Sequence, residues 1–136
     1  MTARDVGAAT PASRRRPVAW APRVLAALAV VASGVVHLVL WQQGYFTGMW
    51  LRPLFLAQGV GGVVLGVLLL VWRSPLPLLG AVAYGAATLG GFVVATSPLG
   101  LFGVRARWEG WAEWVSAVTE LVAVVAALWA LRRERP

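Results

Sequence analysis

The sequence predicts an all-α fold, a four-helix transmembrane bundle, from three observations. Apolar residues make up 60% of the chain, whereas soluble proteins usually contain about 45–50%. Most of them fall into four blocks, and about 20 apolar residues at 1.5 Å rise cross the hydrocarbon core of a bilayer. Only two ionisable side chains, His37 and Glu120, lie deep inside these blocks. Lipid rather than water is therefore the expected solvent.

The four blocks divide the chain into one membrane domain with a tail at each end. Residues 1–22 are polar, basic and interrupted by proline, so they are predicted to form a disordered cytoplasmic tail. Residues 132–136 form a second basic tail. The domain between them covers residues 23–131, with spans at about 24–40, 54–72, 76–95 and 112–131. A cleaved signal peptide that ends near Ala32 is the alternative for the first span.

The connections between the spans are short. Only Arg73, Ser74 and Pro75 join the second and third spans, which predicts that these two are antiparallel neighbours in a helical hairpin. The longest connection, residues 96–111, mixes aromatic, basic and acidic side chains. This mixture favours a segment that lies along the membrane surface, with a ligand lid as the alternative.

Arginine, the source of all 12 basic side chains, predicts the orientation. Basic residues near span ends resist translocation and stay in the cytoplasm. Nine arginines fall on one side and three on the other, which places both termini in the cytoplasm and the spans in a bacterial plasma membrane. The nine are Arg4, Arg14, Arg15, Arg16, Arg23, Arg73, Arg132, Arg133 and Arg135, and the three are Arg52, Arg105 and Arg107.

The composition excludes several classes of function. Because the chain has no cysteine, it can form no disulfide and no thiolate metal site, and it has no thiol redox chemistry. A net charge of +7 would suit nucleic acid, but the arginines lie at span ends rather than on one soluble face. Nucleic acid is therefore not an expected partner. The lipid bilayer is, with another membrane protein or a second copy of the chain as a further partner.

Small residues recur at intervals of four in the second and third spans. Reduced side-chain bulk at positions i and i+4 lets helix backbones approach closely, which matters in lipid because no hydrophobic force drives helices together there. We therefore expect helix-packing seams at Gly62, Gly66, Ala83, Ala87, Gly91 and Ala95.

Few polar side chains interrupt the spans, and those of His37, Gln58 and Glu120 share one depth in the predicted outer half of the bilayer. A carboxylate in hydrocarbon costs roughly 2.5–3.5 kcal/mol, so Glu120 should face the interior and either find a partner or stay protonated. We expect a hydrogen bond or ion pair between His37 and Glu120, supported by Gln58 and Ser116. These four residues form the predicted ligand-binding or proton-handling site, in a pocket open to the outside. The alternative is that they only hold the helices together.

No catalytic constellation emerges from the sequence. It contains no Ser-His-Asp set, no P-loop and no dinucleotide-binding glycine motif, and its single histidine leaves a haem without a second histidine ligand. No catalytic residue, metal or cofactor is predicted. The expected role is a non-enzymatic scaffold or accessory subunit, and the alternative is a small proton-linked transporter or permease that uses the pocket of His37 and Glu120. A membrane-embedded enzyme or redox subunit is the third alternative.

Three short stretches carry a resemblance to a group of proteins. They are residues 33–41 (SGVVHLVLW), 53–58 (PLFLAQ) and 100–103 (GLFG). In these stretches, and in its bias to alanine, valine and arginine without lysine, the chain resembles small four-span integral membrane proteins of high-GC Gram-positive bacteria. The resemblance covers most of residues 23–131. It implies a membrane bundle and brings no activity with it.

Overall fold

The computed structural model describes residues 17–44 and 48–135. Apart from one short backbone bridge, the regular structure in these ranges is helical, as predicted. The helices are α1 (Trp20–Gln42), α2 (Leu51–Val71), α3 (Leu76–Thr96) and α4 (Trp111–Arg133). All four are long and apolar enough to span a membrane, which confirms the prediction of four helices of membrane-spanning length and composition.

The helices begin and end within four residues of the predicted limits. The largest difference is at the start of α1, which begins at Trp20 rather than near residue 24. Pro22 lies in the first turn, where a proline needs no backbone hydrogen bond. The end of the predicted tail, residues 20–22, is therefore helical, and residues 1–16 of that tail lie outside the described residues. At the other terminus α4 continues to Arg133, and Pro136 lies outside the described residues.

Helix α1 has the most extensive contacts in the bundle. It packs along both α2 and α4, and α3 packs mainly against α4. The α2–α3 connection is as short as expected, but these two helices approach each other less closely than either approaches its other neighbour. They meet through side chains, such as Leu65 of α2 against Gly80 of α3. This looser contact leaves room for a cavity between the helices.

Glycines form the tight contact between α1 and α2. A Cβ atom on Gly34 would lie 2.8 Å from the carbonyl oxygen of Gly59, and one on Gly62 would lie 2.6 Å from that of Val30. Real Cβ atoms do not approach backbone so closely, so these helices can pack at this distance only with glycine at the contact. Gly62 and Gly66, both predicted as seam residues, are buried in this contact.

The close contact of α3 uses a different face from the predicted one. Gly85 packs against α4, since a Cβ atom there would lie 2.8 Å from the carbonyl oxygen of Glu120, and Ala81, one turn earlier, is fully buried. Ala83 is exposed on the outside of the bundle instead. The other residues expected in the α3 seam line a cavity: Ala87, Gly91 and Ala95. Because α3 carries small residues on several faces, its sequence allows more than one register, and the position of α4 selects one of them.

A buried arginine closes one end of the bundle. Arg23, near the start of α1, is fully buried. It bonds to Glu134, which follows α4, and to backbone carbonyl oxygens at the end of α2 and in the α2–α3 connection. We call this the closed end. Behind it lie buried apolar side chains, among them Leu69 and Leu78.

The opposite end, which we call the open end, consists of the α1–α2 and α3–α4 connections. In the latter, Leu101 and Val104 exchange backbone hydrogen bonds of 2.8 and 3.0 Å. Phe102 and Gly103 form the turn between them, with φ angles of 50° and 79°. Two positive φ angles are typical of the type I′ turn that closes a two-residue hairpin. The connection therefore folds into a small hairpin at the open end.

Candidate functional site

A cavity of about 290 Å³ lies between the helices near the open end. All four helices and the α3–α4 hairpin contribute to its wall, which is mostly apolar. The four residues predicted as a site all line it, and so do two polar residues that were not assigned to the site. The predicted four are His37, Gln58, Ser116 and Glu120, and the additional two are Thr88 and Glu113.

Glu120 forms the inner end of the cavity. Its side chain is 1% exposed. Its Oε1 accepts hydrogen bonds from the hydroxyl of Ser33 on α1 at 3.0 Å and from that of Ser116 on α4 at 2.8 Å. Among the described residues, none donates to its Oε2. The carboxyl group is thus fixed through one oxygen, and the other stays available to the cavity.

His37 is oriented by the backbone of its own helix. Its Nδ1 lies 2.8 Å from the carbonyl oxygen of Ser33. Since a carbonyl oxygen only accepts, Nδ1 carries the hydrogen, and the neutral ring has its lone pair on Nε2. The imidazole packs against Phe55, with ring centres 5.1 Å apart. Within the described part of the chain, Nε2 has no hydrogen-bond partner.

The predicted direct bond between His37 and Glu120 is wrong: in the described ranges these two side chains form neither a hydrogen bond nor an ion pair. Ser33 lies between them instead, since its hydroxyl donates to Glu120 and its carbonyl oxygen accepts from His37. The i, i+4 spacing brings this carbonyl within reach of the ring, so a local bond satisfies Nδ1. The spacing of Ser33 and His37 was visible in the sequence, but Ser33 was not assigned to the site.

Gln58 joins α2 to α3 rather than supporting Glu120. Its amide donates to the hydroxyl of Thr88, which in turn donates to the carbonyl oxygen of Tyr84 at 2.8 Å. The Tyr84 hydroxyl donates to the carbonyl oxygen of Gln58 at 3.1 Å and lies 3.5 Å from Ser33 Oγ. Tyr84 and Thr88 were not predicted as site residues, although the sequence shows both as polar residues within the third span.

Glu113 brings a second carboxyl group to the cavity. Its Oε2 is fully enclosed and has no hydrogen-bond partner among the described residues. Glu113, Ser116 and Glu120 follow the i, i+3, i+7 spacing that places side chains on one face of a helix, and this face of α4 lines the cavity. In the described ranges, no three His, Asp or Glu side chains converge to form a metal site.

The second polar cluster of the protein surrounds Arg23 at the closed end. Its Nε and Nη2 donate to the two carboxylate oxygens of Glu134 at 2.6 and 2.8 Å. Burial raises the pKa of the Glu134 carboxyl, but hydrogen bonds from Arg23 and from the N–H of Ala19, together with the arginine charge, lower it by more, so this pKa lies below its ordinary value. In the sequence, Arg23 indicates only the orientation of the spans. It also joins three helices.

Comparison of the chain with protein-family models, with curated proteins and with solved structures finds no match. A functional assignment therefore depends on the chemistry of the cavity itself. The cavity combines apolar walls with hydrogen-bond acceptors at one end, an arrangement that can bind a molecule with a hydrogen-bond donor or accept a proton.

Proposed function

We propose that this chain is a non-enzymatic integral membrane protein that binds a small molecule in its cavity and acts as an accessory subunit in a bacterial plasma membrane. In this proposal the helices are antiparallel, both termini are cytoplasmic and the cavity opens on the outer side.

Large apolar side chains on the outside of the bundle support the membrane location. Each helix exposes such residues by more than half, for example Leu28, Val67, Val93 and Val125, a pattern that is unfavourable in water. Partly exposed tryptophans lie near both ends of the helices, as in the aromatic belts of membrane proteins. They are Trp20, Trp72 and Trp129 toward the closed end, and Trp50, Trp108, Trp111 and Trp114 toward the open end.

The distribution of arginine supports a cytoplasmic closed end, since basic residues stay on that side. Among the described residues, the arginines near the closed end are Arg23, Arg73, Arg132, Arg133 and Arg135, and those near the open end are Arg52, Arg105 and Arg107. The hydrogen bonds of Arg23 support antiparallel helices, because they bring the start of α1, the end of α2 and the end of α4 together.

The proposal rests on one observation, a mostly apolar cavity that has polar groups at a closed inner end. From Glu120 toward the closed end, the interior is filled by buried apolar side chains that include Val30, Leu69 and Leu78. A concave, mostly apolar space with a few placed polar groups is typical of a small-molecule site. Because the path beyond Glu120 is filled, the geometry supports binding better than passage.

Filling the cavity tests this proposal. A Cβ atom on Gly91 would meet only Leu101, at 3.8 Å, so Gly91→Leu adds a larger side chain to the cavity without a backbone clash. Gly90→Leu is the matched control, because a Cβ atom on the exposed Gly90 would meet nothing within 4 Å.

Three probes of similar shape serve as ligands: para-fluorophenethylammonium, para-fluorophenethyl alcohol and para-fluorophenylacetate. Binding is followed by fluorine NMR with the protein in zwitterionic lipid nanodiscs, and empty nanodiscs serve as the blank. We expect saturable binding of at least one probe, its loss in Gly91→Leu and its retention in Gly90→Leu. If no probe binds saturably, or if Gly91→Leu leaves binding intact, the proposed function is wrong.

A small proton-linked transporter or permease is the second proposed function. It is favoured by the contact of two ionisable groups, those of His37 and Glu120, with the same serine beside the cavity. Proteoliposomes loaded at a different pH from the bath test it: uptake of a probe should follow the proton gradient and stop in the variant that combines His37→Asn with Glu120→Gln. Uptake that does not depend on the proton gradient and persists in the double variant would contradict proton-linked transport through the cavity.

As an accessory subunit, the chain would dock on another membrane protein or on a second copy of itself. Ala83 and Gly90 are small and exposed, so few side-chain atoms protrude from the outer face of α3 at these positions. A further helix can therefore approach this face closely. Crosslinking in native membranes followed by native mass spectrometry tests this role. A chain recovered only as an isolated monomer would contradict it.

A further inference from the structure

We infer that the ligand of the cavity is an organic cation, a protonated amine whose N–H groups bind at the inner end while its apolar body lies against the surrounding wall. This inference rests on the proposed function, namely that the cavity binds a small molecule. It goes further by assigning the charge and the hydrogen-bonding role of that molecule.

Two acceptor atoms on the buried side chains at the cavity, Oε2 of Glu120 and Nε2 of His37, have no hydrogen-bond partner among the described residues. The Glu113 carboxyl group has none there either, but its Oε2 is enclosed by protein. A carboxylate oxygen only accepts, and so does Nε2 when the ring carries its hydrogen on Nδ1. Buried polar atoms in native proteins nearly always have partners. The ligand that complements these atoms is therefore a hydrogen-bond donor.

The donors of the wall are already engaged, which argues against an anionic ligand. The hydroxyls of Ser33 and Ser116 both donate to Glu120, and the amide of Gln58 donates to Thr88. An anion would meet two carboxyl groups and few free donors. A neutral molecule would bring no charge to balance the ionised form of either carboxyl group.

The charge of the wall also favours a cation. Among the described residues that line the cavity there are two carboxyl groups and no arginine. Arg105, which lies in the nearby hairpin, instead donates to the carbonyl oxygen of Pro98 at 2.7 Å. A carboxyl group shielded from water is either neutral or accompanied by an opposite charge. A bound ammonium group supplies both the opposite charge and the N–H donors.

The apolar part of the wall defines the size and character of the ligand body. Phe55, Phe92 and Leu101 are among its residues, and aromatic faces attract cations as well as apolar groups. The cavity volume of about 290 Å³ is roughly twice the 150 Å³ of an engineered apolar cavity that binds benzene. A single aromatic ring with a short amine chain therefore fits.

The ranking of the three probes tests this inference separately from the proposed function. The ammonium probe should bind at least about tenfold more tightly than the alcohol of the same shape, and the carboxylate should bind worst. Glu120→Gln keeps the side-chain shape and places an amide N–H donor where Oε2 faces the cavity. This variant should weaken binding of the ammonium probe by about 10- to 100-fold and change the affinity for the alcohol probe by less than about threefold.

Two further variants complete the design. Glu109→Gln removes the same charge from an exposed position outside the cavity, so ammonium binding should stay unchanged. Glu113→Gln tests the second carboxyl group and replaces Glu120→Gln if that variant does not fold. Equal binding of the ammonium and alcohol probes would overturn the cation assignment and leave small-molecule binding intact. Ammonium binding that is insensitive to both cavity substitutions would also overturn it, whereas no binding of any probe would overturn both proposals.

Discussion

Replacing Glu134 by glutamine should destabilise the protein by about 3 kcal/mol, because the change leaves a buried arginine without its counter-charge. The amide oxygen can still accept from Nε of Arg23 and from the N–H of Ala19. The amide nitrogen, however, replaces an oxygen that lies 2.8 Å from Nη2, so two donors face each other. Breaking a buried ion pair costs about 3–5 kcal/mol. Four backbone carbonyl oxygens also accept from Arg23, which places the expected value at the lower end.

A loss of this size changes the unfolding equilibrium constant by roughly 150-fold. It can be measured by titrating the protein in mixed micelles with sodium dodecyl sulfate and following helix content by circular dichroism. Glu109→Gln is the control, because the pair of Glu109 with Arg107 is mostly exposed and should contribute less than about 0.5 kcal/mol. If Glu134→Gln unfolds at the same denaturant concentration as the wild type, the buried ion pair does not stabilise the closed end as argued.

Three further predictions concern other parts of the bundle. The pKa of Glu134 is lowered in the folded protein. Its contribution to the free energy of unfolding should therefore be complete above the ordinary carboxyl pKa of 4.5 and be lost as the pH falls through the lower folded value. If the stability of the wild type and that of Glu134→Gln depend on pH in the same way, this prediction is wrong. Gly62→Ala should lower the free energy of unfolding by about 1–3 kcal/mol in the same titration, because the added Cβ atom meets backbone. The adjacent Gly61→Ala should be neutral or stabilising by up to about 1 kcal/mol. Equal effects of the two variants would argue against the tight α1–α2 contact. Gly100 has a φ of 67°, and an added Cβ atom would lie 2.9 Å from a carbonyl oxygen. Gly100→Ala should therefore speed amide hydrogen exchange of Leu101. Unchanged exchange would show that the hairpin tolerates a side chain at this position.

The helices could be predicted from the sequence because hydropathy and length depend on local composition alone. The observed helix limits differ from the predicted ones where a polar residue is part of the folded interior. Arg23 has the composition of a span flank, yet α1 begins before it and turns it toward Glu134. No local signal distinguishes this arginine from the others near the span ends, because its burial depends on the position of α4.

The site was predictable to the extent that helix periodicity places side chains on one face. Glu113, Ser116 and Glu120 share such a face, and the structure turns it toward the cavity. The role of Ser33 could not be predicted from spacing, since a direct contact between His37 and Glu120 and a contact through the serine satisfy the same pattern. The register of α1 against α4 decides between such arrangements, and it depends on contacts between distant parts of the chain.

We propose above that the cavity opens on the outer side of the membrane, and the accessibility of single cysteines to a charged reagent measures this opening. The chain has no native cysteine. Ala117 lines the cavity, whereas the next residue, Val118, is 56% exposed on the outside of α4, where a thiol in lipid does not ionise and does not react with a charged reagent. An impermeant charged methanethiosulfonate is applied to right-side-out and to inverted membrane vesicles. We predict that Ala117→Cys reacts in right-side-out vesicles only and that Val118→Cys reacts in neither. Equal labelling of both variants, or labelling of Ala117→Cys from the cytoplasmic side alone, would contradict the account.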